Sequence, residues 1–130
     1  MEQKKYIAIK DLVVYQITRK LSSLAWKIYE KMDWHLQKII GDQFITSTDS
    51  VDANIVEGYR RYHYRDKIKF YYISRASFCE SVYHWLELLL ERNKISNDEY
   101  TEIKLVADEL QIKLNNFITT TCNQINKNNE

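Results

Sequence analysis

The chain has 130 residues, enough for one domain with a real core and too few for two, and its 45 % hydrophobic and 28 % charged content argues against disorder. With 19 basic and 18 acidic side chains the formal net charge is +1, which argues against a protein built to wrap duplex nucleic acid and leaves only a local patch for such a role. No proline and two glycines, Gly41 and Gly58, argue against turn-rich β architectures and for helices joined by short links.

The opening segment, MEQKKYIAIK, holds no apolar run of signal-peptide length, and no stretch of the chain is apolar enough to span a membrane. A soluble, cytoplasmic protein with no membrane partner is expected. From Asp11 to Met32 the apolar residues Val14, Leu21, Ala25, Ile28 and Met32 recur at helical spacing, with Gln16, Lys20, Ser23, Lys27 and Glu30 opposite, so an amphipathic helix is expected over about 11–32. The stretch DWHLQKII reads as a connector. Gly41 and Asp42 then read as the start of a second helix, over 42–60, with Phe44, Thr48, Val51 and Ile55 on one stripe and Gly58 near its end.

The third helix, 65–92, carries two apolar seams. One runs Tyr72, Ala76, Cys79, Tyr83, Leu86, Leu90; the other, one position back, runs Tyr71, Phe78, Val82, Trp85, Leu89. Together they exceed the ~100° stripe that a surface helix needs. The fourth helix, 97–125, opens with the capping box Ser96-Asn97-Asp98-Glu99 and continues through Ile103, Ala107, Leu110, Leu114 and Phe117, with the tail NKNNE expected to fray. The reading is a single all-α domain over 1–130, an antiparallel up-down-up-down four-helix bundle. Ten Tyr, four Phe and three Trp are many for so narrow a core. The second seam therefore points to a subunit interface at Tyr71, Phe78, Val82, Trp85 and Leu89, and so to a homo-oligomer. The alternative is that Trp85 and the tyrosines cover loops of the same chain.

Sites of chemistry are scarce. Cys79 and Cys122 lack metal-like spacing and read as buried thiols. Glu80 and His84 stand one helical turn apart, and with Glu57 they make a conceivable metal set, but such a pair is far more often a surface contact. Phosphate-cradling glycine loops and nucleophile elbows are missing from the sequence. Neither an enzyme, a metal, a cofactor nor a small-molecule substrate is expected.

Two constellations remain. Ser50, Asn54 and Glu57 on helix two, and Ser77 and Glu80 on helix three with Arg75 reaching around to one of the carboxylates, are expected to form facing polar stripes that fix the register of the two helices; the alternative sends Glu57 and Glu80 to solvent. Between Tyr59 and Lys69, five of eleven residues are basic: Arg60, Arg61, Arg65, Lys67 and Lys69. Tyr59, Tyr62, Tyr64 and His63 interleave with them, and flat rings beside cations are how looped RNA is often held. Tyrosines at the end of a bundle also commonly just cover helix termini.

Two segments, IGDQFITSTDSVDANIVEGYRR and FYYISRASFCESVYHWLE, carry a resemblance. Gln43, Ser50 and Asn54-Ile55-Val56-Glu57-Gly58, followed by Phe70, Ile73-Ser74-Arg75-Ala76-Ser77 and Glu80, resemble the signatures of the four-helix-bundle family of proteins encoded in intervening sequences of bacterial 23S ribosomal RNA genes. The likeness runs from about Asp11 to Ile95. It implies an antiparallel bundle assembling as a homo-oligomer, typically a ring of five, and an association with rRNA or a ribonucleoprotein. A related branch of the fold serves as an accessory factor to a retroelement reverse transcriptase. Ile45 and Thr46 stand where family members commonly carry arginines, Arg60 replaces the second glycine of the family's Gly-x-Gly-Arg turn, and Ser74 and Ala76 replace Ala and Gly. The expected function is a homo-oligomeric RNA-associated adaptor, or alternatively a protein-interaction scaffold without nucleic-acid binding.

Overall fold

The structure, a computed structural model, describes residues 6–128, and every regular element among them is helical. Helix α1 is Val13–Glu30, preceded by a 3-10 turn at Ile9–Asp11. Helix α2 spans 34–59 as Trp34–Leu36, a π-helical turn at Gln37–Gly41, and Asp42–Tyr59. Helix α3 spans 64–91 as Tyr64–Cys79, a second π-helical turn at Glu80–Trp85, and Leu86–Glu91. Helix α4 is Asn97–Asn128, so it enters the tail expected to fray; residues 129–130, like residues 1–5 of the opening segment, lie outside the described residues.

The start of α2 corrects the expected connector. Asp33 has an extended backbone and its Oδ1 accepts the Leu36 N–H at 2.8 Å, an N-cap that launches the helix at Trp34. Gly41 therefore lies inside the π turn, not at a helix start. A Cβ there would come within 2.8 Å of Met32 Sδ and 3.1 Å of the Tyr29 ring, so its smallness lets α1 approach. Gly58 is likewise no left-handed terminator, since neither glycine has a positive φ. A Cβ on Gly58 would lie 2.7 Å from the Tyr71 ring and 3.0 Å from the Lys67 carbonyl oxygen, and this close approach of α2 to α3 is what the glycine permits. Among the described residues the left-handed position is Asn93, at φ 57, after α3. There the Lys94 N–H reaches the Leu89 carbonyl and the Asn93 N–H the Leu90 carbonyl, a Schellman closure that needs the αL geometry asparagine tolerates.

One core runs through all four helices. Val14, Ile17, Leu21, Ala25 and Ile28 face inward from α1, Phe44, Val51 and Ile55 from α2, and Ile103, Ala107, Leu110 and Leu114 from α4. Between α2 and α3 the contacts run in opposite sequence order: Thr48 meets Ser81, Ser50 meets Ser77, and Gly58 meets Tyr71. Between α3 and α4 they do the same, Tyr83 with Gln111 and Glu87 with Tyr100.

Up to Tyr83 the two seams of α3 exchange roles, while beyond the π turn Leu86 of one and Leu89 of the other are both fully buried. Tyr71, Phe78, Val82 and Leu89, expected to meet another copy, are at most 2 % exposed within this chain. Trp85 is half-buried against the same core. Of the seam expected to face inward, Tyr72 and Tyr83 are 46 % and 45 % exposed, and Ala76 and Cys79 are exposed as well. The reason is that Ser74 and Ser81 lie in the buried stripe, and the π turn slips its phase by one residue before Leu86 and Leu89. The cysteines are corrected too: Cys79 is exposed and Cys122 half-exposed, its Sγ 3.5 Å from the Tyr72 hydroxyl.

Candidate nucleic-acid interface

The basic aromatic run forms the turn between α2 and α3 and the first turns of α3. The Arg60 and Arg61 N–H groups close the end of α2 on the Val56 and Gly58 carbonyls. The His63 carbonyl accepts from the Asp66 and Lys67 N–H groups and so opens α3. His63 itself is extended, at φ −90 and ψ 139, which turns the chain through a short reversal. The result sets Tyr59, Arg60, Arg61, Tyr62, Tyr64, Arg65, Lys67 and Lys69 at one end of the molecule.

Their environments differ. Tyr62 is 89 % exposed with its ring edge-on to His63. Arg61 is partly neutralised by Glu57, one turn upstream, at 2.6 Å, and lies over the Phe70 ring. Among the described residues no ion pair engages Arg60, Arg65 or Lys69, and all three are exposed. Lys67 Nζ donates to the Tyr59 carbonyl oxygen at 2.7 Å and stands over the Tyr59 ring. The Tyr59 hydroxyl in turn donates to the Ile7 carbonyl, pinning the chain before α1 across this end. Burial, and then the neighbouring Tyr6, push the Tyr59 phenol above its ordinary pKa. Burial pushes the deeper Tyr71 phenol far higher, with the Tyr59 and Tyr64 hydroxyls adding to it, so both tyrosines stay neutral at any physiological pH.

The polar joint between α2 and α3 is only partly the expected set. Ser50 Oγ and Ser77 Oγ are 2.9 Å apart, and the Asn54 amide donates to the Ser50 carbonyl at 2.8 Å and to its Oγ at 3.0 Å. Glu57 instead faces solvent with Arg61, Glu80 accepts from the Trp85 indole N–H at 2.8 Å, and Arg75 reaches the Asn115 side chain of α4 at 3.3 Å. These three do not join the network, because each has a nearer partner at the wet rim of the helix pair. The fully buried part of the joint was missed from the sequence: Thr48 Oγ1 and Ser81 Oγ are 2.5 Å apart, and Ser74 Oγ donates to the Val51 carbonyl at 2.7 Å. The spacing of Ser74, Ser77 and Ser81 along one face of α3 is the pattern that marks it.

The Glu57, Glu80, His84 set is not assembled. His84 packs its ring against Trp85 at 4.4 Å, and among the described residues no three His, Cys, Asp or Glu side chains cluster as metal ligands. No helix among the described residues is long and apolar enough to cross a membrane.

Comparison with known proteins gives the context of this geometry. Residues 10–116 match the family model described as 23S rRNA-intervening sequence protein. The fold is similar to the 1.70 Å crystal structure of a protein of unknown function from the S23 ribosomal protein family of Bacteroides thetaiotaomicron, with a TM-score of 0.72 and 24 % identity over 82 % of this chain and 98 % of that one. No curated protein matches.

Proposed function

Because the chain belongs to the family of 23S rRNA-intervening sequence proteins, we propose that it is a non-enzymatic adaptor that binds RNA or a ribonucleoprotein through the α2–α3 end of an antiparallel, up-down-up-down bundle. The observation that carries this reading is the cluster of exposed cations Arg60, Arg65 and Lys69, engaged by no ion pair among the described residues, beside the exposed Tyr62 ring on a chain whose overall charge is nearly neutral. Cations concentrated at one end of such a molecule contact phosphates, while flat rings next to them accept unpaired bases. Opposite-order contacts along α2 with α3, and along α3 with α4, support the bundle topology.

Assembly of copies, as a ring of five, would repeat that cationic end around an axis. The seam of Tyr71, Phe78, Val82 and Leu89 does not serve it, being this chain's core. The apolar side chains left in solvent do: Trp34 at 68 %, Leu105 at 68 % and Ile112 at 62 % exposure lie away from the cationic turn. The same side chains favour the second reading, a scaffold that binds proteins and no nucleic acid.

Binding of fragments of bacterial large-subunit rRNA, titrated against salt, tests the first reading. Each phosphate neutralised contributes about 0.7 to the logarithmic salt slope for single strands, so replacing Arg60, Arg65 and Lys69 by alanine lowers the slope by about 2. A salt-insensitive interaction, or a protein partner that survives nuclease treatment while no RNA is held, refutes it in favour of the scaffold.

A further inference from the structure

A cleft of about 490 Å³ opens beside the basic turn, within the range of small-ligand sites. Its walls are Ile7, Leu12, Tyr59, Tyr64 and Phe117, and its floor is Tyr71, whose ring stands 4.6 Å from that of Phe117. It is mostly apolar, yet its tyrosine hydroxyls and the Lys67 ammonium supply polar groups at fixed places. A second cleft of about 600 Å³ adjoins it, sharing Tyr59, Tyr64 and Lys67, and is lined beyond them by Arg60, Arg61 and Tyr62. An aromatic slot thus runs directly into a cationic mouth.

From this juxtaposition we infer that the pair of clefts is a nucleotide site, with a flat unpaired base in the tyrosine-lined slot and its phosphate at Arg60 and Arg61. A planar ring stacks on tyrosine regardless of sequence, and the Tyr59 hydroxyl, its proton held by the Ile7 carbonyl, still accepts a hydrogen bond at the edge of that ring. The slot admits a base only when it is unstacked, so the ligand is single-stranded or looped RNA or a free nucleotide, and duplex RNA is refused. Tyr59 joins the two halves, because its ring walls the slot, its hydroxyl holds the Ile7 carbonyl and its own carbonyl anchors Lys67. The inference rests on the RNA-binding reading above and adds to it a place and a chemical preference.

The test compares oligoadenylate with a ribose-phosphate oligomer of the same length that lacks bases. The intact protein should bind oligoadenylate roughly tenfold more tightly, the value of one stacked base. Thr120 lines the slot from the exposed side of α4, and Thr120→Trp fills it without changing any charge. That variant should bind both oligomers as weakly as the wild type binds the base-free one; Gln124→Phe, from the same wall, serves as a second filling change, and far-UV circular dichroism verifies both folds. Adenosine monophosphate and inorganic phosphate separate the sources. Saturable adenosine monophosphate binding as tight as that of the oligomer, lost on filling and not matched by phosphate, assigns the site to free nucleotides; much weaker binding assigns it to RNA. Equal affinity for both oligomers overturns the nucleotide slot, and if Arg60→Ala still weakens both, the cationic surface stands without it. No binding of any oligomer or nucleotide overturns both.

Discussion

The buried hydroxyl pair between α2 and α3 makes a prediction whose sign depends on which partner is removed. Thr48 and Ser81 are each 1 % exposed, and their oxygens are 2.5 Å apart. Thr48 Oγ1 also lies 2.7 Å from the Phe44 carbonyl, which can only accept. A threonine hydroxyl has one proton, so Thr48 donates to Phe44 and Ser81 donates to Thr48. Ser81→Ala removes one hydrogen bond but leaves the Thr48 proton satisfied, and costs about 1 kcal/mol. Thr48→Val keeps the shape of the residue and leaves the Ser81 proton buried inside a π turn without its acceptor, at a cost of about 2 kcal/mol. The double variant removes both polar groups and loses only about 1 kcal/mol, well short of the ~3 kcal/mol sum of the single changes.

Urea unfolding of the four proteins measures this. A difference of 1 kcal/mol moves the melting temperature of a domain of this size by roughly 4 °C, so thermal melts resolve the same ordering. Additivity within about 0.5 kcal/mol would refute the donor assignment and the idea that the pair acts as a unit. Ser77→Ala, in the half-buried Ser50–Ser77 contact, is the internal comparison and should cost under ~1 kcal/mol because water can replace the lost partner.

The two glycines should answer differently to alanine. At Gly58 the added methyl meets the Tyr71 ring and the Lys67 backbone oxygen, which cannot yield separately, so overpacking of about 2 kcal/mol outweighs the ~1 kcal/mol helix-propensity gain; at Gly41 the nearest atom is the flexible Met32 thioether, and the change is close to neutral in the same melts. At the start of α4, the Ser96 N–H holds the Glu99 carboxylate below its ordinary pKa of 4.5, with Lys31 assisting. The advantage of the wild type over Glu99→Gln is therefore complete above pH 4.5 and shrinks as the pH falls below it, as stability measured across acid pH would show. Asp52 behaves oppositely, since burial raises its carboxyl above 3.8 although Arg19 stands 3.6 Å away. Its ionisation opposes folding at neutral pH, so Asp52→Asn should be more stable than wild type at pH 7 and lose that advantage on acidification through the raised value.

Features that depend on one stretch of chain were legible in the sequence. The capping box is present as read, with the Ser96 N–H on Glu99 Oε1 at 2.9 Å and the Glu99 N–H on Ser96 Oγ at 3.0 Å. The inward faces of α1 and α4 follow their apolar spacing, because a long amphipathic helix has one way to bury its stripe. The start of α2 was obscured by Gly41, a residue that resembles a boundary but serves a close approach, while the true signal was the unremarked Asp33 three residues before Leu36. Ser50, Asn54 and Ser77 could be matched by spacing; Glu57 and Glu80 could not, because whether a carboxylate at the rim turns inward depends on a nearer cation or indole that spacing does not rank.

The exchange of seams on α3 has a deeper cause. A regular helix advances about 100° per residue, and choosing between two adjacent seams of similar greasiness requires knowing that phase to within one residue over seven turns. The π turn at Glu80–Trp85 inserts one residue into that count. Upstream of it the buried stripe is Ile68, Tyr71, Ser74 and Phe78, and downstream it is Leu86 and Leu89, joined through Ser81 and Val82 at the slip itself. Ser81 is thus both the residue at the phase change and the donor to Thr48, so the hydroxyl that looks out of place in a greasy stripe is what holds the irregular turn against α2. Deleting one residue within the π turn should therefore close α3 into a regular helix that keeps Leu86 and Leu89 on the core face with Tyr71 and Phe78, and unfolding should stay cooperative. Deleting one residue from the regular stretch before it should instead rotate Tyr71 about 100° away from the core relative to Leu86 and Leu89, and the chain should lose cooperative unfolding even though its helix content by circular dichroism is kept.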